Sequence, residues 1–416
     1  MAEPGELDAI VLADEPAANV RIAGLAVKTR AERVARRAGA SRVLVVDGSR
    51  AEIVAWRDGR TCPLLVIRAN QVVQLGLVAP LVDAVPRLGE RGLAIAVGPG
   101  GEDAGAYVAT GPAAQQAITA LANGEALATA DMRVTHGPGA RFPIDTAAER
   151  AAAHAALYAS LSKPQDNAIT RNVFRPVSSR LTRLLVWTPI TPNQVSILVA
   201  ILSAIGIWLT ASASMARVIA GTAVVLAATY VDCCDGEIAR LKLVTSRAGA
   251  WLDTVVDELS SIGYMAALGY HCHLVYGDRY GVDPWLPLTA LSLVTYFACM
   301  YLIYWNIIVL VGSANSQDYI ARFDAVPGTT PGRVRLVRSG PPPVASPRLS
   351  ASDIVRRDFL AWMTLVLAAL HLTQISFLIL VTGGVVLSAI LVADHVRHRR
   401  QLRAIRDAGQ TFEPPR

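Results

Sequence analysis

From residue 193 onward the chain is cut into six apolar segments, at about 193–213, 216–239, 247–273, 285–313, 357–372 and 374–396. A hydrocarbon core about 30 Å thick takes about 20 helical residues to cross. Only helices and closed barrels satisfy their backbone polar groups in lipid, so several such segments in a row predict a bundle of membrane-spanning helices. The fifth segment is short and draws on its polar flank. Ahead of residue 156 the pattern changes, and charged and apolar residues mix as in a globular domain. The 53% hydrophobic and 17% charged composition is an average over two unlike parts. The expected fold is an α-helical integral membrane domain of six transmembrane helices, preceded by a cytoplasmic α/β domain.

Charge gives the orientation. The net charge of +6 gathers beside apolar segments, which points to a lipid bilayer as partner and not to nucleic acid. Residues 240–247 hold Arg240, Lys242 and Arg247, the loop 314–357 holds seven arginines, and the tail after Val396 is rich in arginine. The alternate joints are poor in basic residues. The positive-inside rule therefore puts both termini, the long loop and the 240–247 turn in the cytoplasm. The start of the chain has no basic stretch followed by an apolar run, so no cleaved signal peptide is expected. Cys62, Cys233, Cys234, Cys272 and Cys299 show no CxxC pair and no zinc spacing.

In the first part, short apolar runs at Ala9–Ala13, Arg42–Val46, Leu64–Ile67 and Leu93–Val97 read as buried strands. They alternate with helical patterns at Val27–Ala38 and Ala113–Leu121, which predicts a mostly parallel sheet flanked by helices. Ala148–Leu161 reads as a helix, broken at Lys163–Asn167. Ile169–Val186 then spaces Arg171, Arg175, Arg180 and Arg183 among apolar residues, as a helix lying in the membrane interface would. The loop 325–348, rich in Pro, Gly, Ser and Arg, reads as flexible. The expected division is 1–155 for the α/β domain, 156–190 for linker and interfacial helix, 191–400 for the membrane domain and 401–416 for a basic tail.

The chemistry is concentrated in Asp232-Cys-Cys-Asp235-Gly236-Glu-Ile-Ala239-Arg240, followed after eight residues by Gly249-Ala-Trp-Leu-Asp253-Thr-Val-Val-Asp257. At 100° per residue, positions 232, 235, 236, 239 and 240 share one helix face, and 249, 253 and 257 form a second stripe. A short basic turn joins the two helices, so four carboxylates converge near the cytoplasmic edge of the membrane. An intramembrane carboxylate costs about 2.5–3.5 kcal/mol on insertion scales, and clustered ones repel one another. A bound divalent cation is the simplest compensation, and hard carboxylate oxygens suit Mg²⁺, Mn²⁺ or Ca²⁺. Gly236 and Gly249 leave room for a ligand to approach the backbone. An ion-coupled transporter is the alternative of another class, although transporter sites tend towards the midplane and broken helices.

The stretch resembles the CDP-alcohol phosphotransferase signature D-x2-D-G-x2-A-R-x8-G-x3-D-x3-D, which it matches without a departure. The resemblance runs over roughly residues 160–400, and Thr191-Pro192-Asn193-Gln194 opens the first span as in that family. Lys163-Pro-Gln-Asp166, Arg171, Arg175 and Arg356-Arg357-Asp358-Phe359 look like the branch of di-myo-inositol-phosphate-phosphate synthase-like enzymes. The resemblance implies Mg²⁺ or Mn²⁺ held by Asp232, Asp235 and Asp253, with Asp257 contributing and serving as general base on the acceptor hydroxyl. It implies a CDP site made by Asp232, Gly236, Ala239, Arg240, Gly249 and Asp253, and a homodimer. The implied reaction moves a phospho-alcohol group from a CDP-alcohol donor to an acceptor alcohol and releases CMP. Lys163, Arg171 and Arg175 are the candidates for an acceptor phosphate.

The first domain faintly resembles sugar-phosphate nucleotidyltransferases. Asp8–Ala13 looks like their first strand, and Phe142-Pro143-Ile144-Asp145-Thr146-Ala-Ala-Glu149 like their closing D-x-D-T-x-x-E segment. In the inositol-phosphate branch such a domain makes the CDP-inositol donor. A triphosphate cradle needs a Gly-rich turn and a basic residue after the first strand. This chain has Ala13-Asp14-Glu15-Pro16-Ala17 there, and Gly98-Pro-Gly-Gly101 runs into Glu102 and Asp103. A degenerate accessory domain is therefore expected, with a bifunctional enzyme carrying an active cytidylyltransferase as the alternative.

Overall fold

The computed structural model describes residues 6–89, 92–125, 130–162, 166–277, 281–312, 318–328, 333–340 and 357–413. The chain divides into two compact units. The first comprises Met1–Leu161 with Arg183–Pro189 and Ile238–Val244, and the second comprises the rest.

The first unit is α/β. Its strands are β1 (Leu7–Leu12), β2 (Arg21–Ile22), β3 (Leu25–Ala26), β4 (Ala40–Val46), β5 (Leu64–Arg68), β6 (Gln71–Val73), β7 (Leu93–Val97), β8 (Asp103–Ala109), β9 (Met132–Thr135) and β10 (Arg141–Pro143). Six of them form one sheet in the order β4-β1-β5-β8-β7-β9. β1 is central and buried on both faces, which is why it reads as an unbroken apolar run. Leu7, Ala9 and Val11 join the core under α1 (Val27–Arg37) and α3 (Leu75–Leu88). Ile10 and Leu12 join the opposite core under α2 (Glu52–Arg57) and α4 (Gly111–Asn123). Asp8, also fully buried, is held by Arg57 and by Arg60 at 3.1 Å.

The sheet is mixed where a mostly parallel one was expected. β8 runs antiparallel to both β5 and β7, while β9 returns parallel to β7. The glycine cluster accounts for the reversal. Gly98 N–H donates to Glu102 O at 2.8 Å and Gly101 sits at φ +83°, so Gly98–Gly101 is the hairpin turn between β7 and β8. The D-x-D-T-x-x-E segment also has a local explanation. Thr146 and Glu149 form a reciprocal capping box at the start of α5 (Ala147–Ala159).

The second unit is helical. A π turn at Thr170–Phe174 leads into α6 (Arg175–Leu185), whose last residues lie in the first unit. Then follow α7 (Pro192–Thr210), α8 (Met215–Lys242), α9 (Arg247–Tyr276), α10 (Trp285–Trp305), α11 (Arg357–Ala369) and α12 (Thr373–Asp407). Thr191 and Gln194 form a capping box around Pro192, which explains Thr-Pro-Asn-Gln at the mouth of α7. At the crossing of α7 and α8 the backbones nearly touch. A Cβ on Gly206 would lie 2.9 Å from Gly221 O, and one on Gly221 would lie 2.7 Å from Gly206 O. Small residues permit such crossings in membrane bundles.

Among the described residues four helices are long and apolar enough to cross a bilayer: Pro192–Thr210, Met215–Lys242, Trp285–Val311 and Thr373–Asp407. The six expected from sequence would need α9 and α11 as well. α9 spans 30 residues but carries Asp253, Asp257, Glu258, His271 and His273, while α11 covers 13 residues. Exposed Ile197, Leu198, Ile201 and Ile205 on α7 and Val386, Ile390 and Val392 on α12 give these helices apolar outer surfaces.

The loop expected to be flexible is partly structured. β11 (Phe323–Pro327), β12 (Arg333–Arg338) and β13 (Thr411–Glu413) form a three-stranded sheet, the last strand coming from the tail. His271 and His273, two residues apart on α9, have different surroundings. His271 is fully buried against Ser212 O and Thr373 Oγ1, while His273 pairs with Asp283.

Candidate active site

α8 and α9 are joined by residues 243–246, so their facing turns bring acidic side chains together. Carboxylate oxygens of Asp232, Asp235 and Asp253 all lie within 4.8 Å of one another. Asp235 is buried, and Ser196 of α7 donates to its Oδ2 at 2.7 Å. Its Oδ1 accepts the N–H of Gly236. Asp257, one turn beyond Asp253, is held by Arg357 Nη1 at 2.6 Å, and Nη2 of the same guanidinium reaches Asp232 at 2.8 Å. Arg357 thus ties the base candidate to the carboxylate cluster. The donor set is all hard oxygen and drawn from two helices, which suits Mg²⁺ or Mn²⁺ sharing its shell with a phosphate.

Gly249 is placed by the first turn of α9. Its N–H donates to the capping Ser246 Oγ at 2.9 Å, and a Cβ there would lie 2.9 Å from Asn193 Oδ1. A larger residue there would displace the Asn193 and Ser246 side chains. Ala239 and Arg240 belong to the first unit, where Arg240 Nη2 donates to Leu161 O at 3.3 Å.

The acceptor-phosphate candidates are not equivalent. Lys163 lies outside the described residues. Arg171 donates to Asp166 O at 3.4 Å. Arg175 is fully engaged: Nε and Nη2 grip Asp166 at 2.8 and 3.0 Å, and Nη1 binds Glu237 at 2.6 Å. Glu237 is fully buried and also accepts from Ser178 at 2.9 Å.

Three groups escaped the sequence reading of the site. Arg357 lies 125 residues from Asp232 in sequence, and the resemblance around Arg356–Phe359 gave it no role in the site. Ser196 reads as an ordinary helix hydroxyl. Glu258, next to Asp257, accepts from Tyr296 at 2.6 Å and Tyr304 at 2.9 Å.

A cavity of about 390 Å³ opens beside the cluster. Asp232, Asp257 and Arg357 line one part of it. Val199, Val225, Leu360, Leu380 and Leu387 line much of the remainder, with hydroxyls of Thr222, Ser261, Tyr264 and Tyr296 between. It combines a charged end with an apolar wall, as small-molecule sites commonly do.

A charged, oxygen-rich cluster at the edge of an apolar helix bundle, carried by one fixed-spacing motif, defines the class. Residues 189–326 match the CDP-alcohol phosphatidyltransferase family model. It is similar to the bifunctional IPC transferase and DIPP synthase of Aquifex aeolicus, at 34% identity over 106 residues, 26% of this chain and 24% of that one. The protein of the same name from Archaeoglobus fulgidus is 25% identical over 237 residues, 54% of this chain and 41% of that one. The matches therefore span about a quarter to two fifths of these relatives. A crystal structure of the Mycobacterium tuberculosis phosphatidylinositol phosphate synthase with CDP-DAG bound aligns at 19% identity and a TM-score of 0.36, over 53% of this chain and 94% of that one.

Proposed function

We propose that this chain is a multi-pass membrane enzyme that transfers a phospho-alcohol group from a CDP-alcohol to a second alcohol and releases CMP. The observation that carries this reading is the convergence of Asp232, Asp235 and Asp253 within 4.8 Å on the family's own motif. These three carboxylates would hold Mg²⁺ or Mn²⁺, which when bound polarises the donor diphosphate and offsets charge on departing CMP. Asp257 takes the proton of the acceptor hydroxyl. The acceptor oxygen then bonds to the phosphorus of the alcohol-bearing phosphate, and the bond from that phosphorus to the bridging oxygen breaks. The bridging oxygen and the electron pair leave with CMP. Gly236, Ala239, Arg240 and Gly249 are assigned to the CDP moiety by their places in the motif.

Arg357 replaces Arg175 as the favoured group for a phosphate of the acceptor or donor. Arg357 lines the cavity beside Asp232 and Asp257, and Arg175 does not line it. Arg171 and Lys163 keep their place as acceptor candidates. The reading includes six spans, with α9 and α11 completing the four apolar helices, both termini and the site on the cytoplasmic side, and a homodimer. An inositol-phosphate acceptor is favoured by the relatives' names. The first unit is read as a degenerate nucleotidyltransferase-like domain, since its glycine cluster is used in a hairpin.

The test is CMP release by the purified protein in detergent with Mg²⁺ or Mn²⁺. CDP-inositol and CDP-diacylglycerol are each paired with inositol phosphate, inositol and glycerol phosphate. Release with one pair identifies the reaction, whereas substrate flux in proteoliposomes without CMP would replace it with transport. CTP-dependent pyrophosphate release by the full chain would restore the bifunctional alternative.

A further inference from the structure

The helix that carries Asp232 and Asp235 ends at Lys242, and an α-helix leaves its last four carbonyls without intrahelical partners. For α8 these are Ala239, Arg240, Leu241 and Lys242, and all four are satisfied. Val244 N–H donates to Ala239 O at 3.0 Å and Leu243 N–H to Arg240 O at 3.3 Å, the paired bonds of a Schellman motif. That motif needs a left-handed residue, normally glycine. Here it is Leu243 at φ +54°. The remaining two carbonyls are taken by α1: Arg30 Nη2 donates to Leu241 O at 2.9 Å and Arg33 Nη1 to Lys242 O.

The choice of residues is costly unless this end must be held. Arg30 is 2% exposed, and among the described residues no carboxylate pairs with it. Its other bond goes to Ile22 O at 3.4 Å. Leucine replaces glycine at 243 because its side chain packs on the core of the first unit, beside buried Leu241 and with Val27, Ala31 and Val34 in the same cluster. Arg30 extends the same α1 stripe. A second tie runs through the segment just after α6, where Lys242 Nζ donates to Thr188 O at 2.7 Å. A Cβ on Gly24 would lie 2.1 Å from Val186 O, so the backbones there are in contact.

We infer that Arg30 and Arg33 are positioning residues: together with the left-handed Leu243 they clamp the end of the helix bearing Asp232 and Asp235, so that the α/β unit serves the active site through this clamp whether or not it has chemistry of its own. The inference rests on the proposed roles of those aspartates. Asp235 is two turns from the clamped end, close enough that fraying there would move it relative to Asp253. Two cations at a helix C-terminus also complement its dipole.

The test compares the full-length wild type with R30A/R33A, and with R30K/R33K, which keeps charge and one donor per residue. Amide hydrogen exchange is read in peptides covering 236–244, with β1 and β5 as internal controls. The clamp predicts at least tenfold faster exchange at 236–244 in R30A/R33A, with β1 and β5 unchanged and at least half the effect reversed by lysine. Unchanged exchange at 236–244, or equal acceleration in β1 and β5, overturns it. In the CMP assay the half-saturating Mn²⁺ concentration should rise at least fivefold, with the donor KM within twofold. A loss of rate that only tracks the folded fraction overturns the positioning role. Exchange decides the clamp even if the wild type releases no CMP, so the two readings fail separately.

Discussion

Arg357 and Asp257 form a 2.6 Å ion pair across two helices, and the other arm of the same guanidinium holds Asp232 at 2.8 Å. The proposed base is therefore oriented before any substrate arrives. Asp257→Asn keeps the side-chain shape but cannot accept the hydroxyl proton. The expected result is a loss in kcat of about 10²–10⁴-fold, the usual range for a general base. Donor KM should change little, and initial-rate kinetics of CMP release would check both.

Asp253→Asn should behave differently. It removes one of three clustered carboxylates, so half-saturation by Mn²⁺ should shift upward together with the fall in rate. Metal titrations of Asp253→Asn and Asp257→Asn, run side by side, separate a ligand from a base. Identical metal curves would remove the distinction.

Arg357→Lys retains charge but loses the fork that spans Asp232 and Asp257. A rate loss larger than any change in melting temperature is expected, with the acceptor KM raised more than the donor KM. Equal effects on both substrates would argue against a role at the acceptor.

Arg175→Ala is expected to act on stability. It strands fully buried Glu237 and the nearly buried Asp166. Breaking one side of such a pair costs about 3–5 kcal/mol, and thermal unfolding in detergent reads it. Arg175→Ala with Glu237→Gln should recover part of the loss. An acceptor-binding role would instead give a normal melt with a raised acceptor KM.

The first unit should lose stability in acid through Asp8. Burial pushes its carboxyl up, but hydrogen bonds and charge from Arg60 and Arg57 more than offset this, and the group ends below the ordinary value of 3.8. The unfolded chain thus takes up the proton at higher pH than the folded one. The stabilisation is complete above the unfolded value and drains away as pH falls through it towards the folded value. Asp8→Asn should flatten that part of the stability–pH curve, as followed by acid-unfolding titrations.

What could be read from the sequence was whatever depends on local spacing. The Asp232–Asp257 motif predicts converging carboxylates because helical periodicity alone fixes which turns face each other. β1, β4, β5 and β7 announce themselves as compact apolar runs. β8 does not, since Asp103–Ala109 is rich in Ala and Gly and has few β-branched residues. α3 is hidden by Pro80 and Pro86 within it. α9 trades hydropathy for carboxylates and so falls outside the four helices that length and hydropathy single out. Arg357 and Ser196 reach the site from other helices, and no local pattern registers contacts of that range. Arg175 looked free because its partners, Asp166 and Glu237, are brought to it by the fold.

The short strand Thr411–Glu413 occupies the outer edge of β12, pairing Thr411, Phe412 and Glu413 with Arg333, Val334 and Arg335. A chain cut after Gln410 would leave that edge of backbone donors and acceptors open, with Val334 and Leu336 along it. An uncovered edge is a template for pairing with a neighbouring molecule. Shortening the tail should therefore make the protein self-associate in detergent.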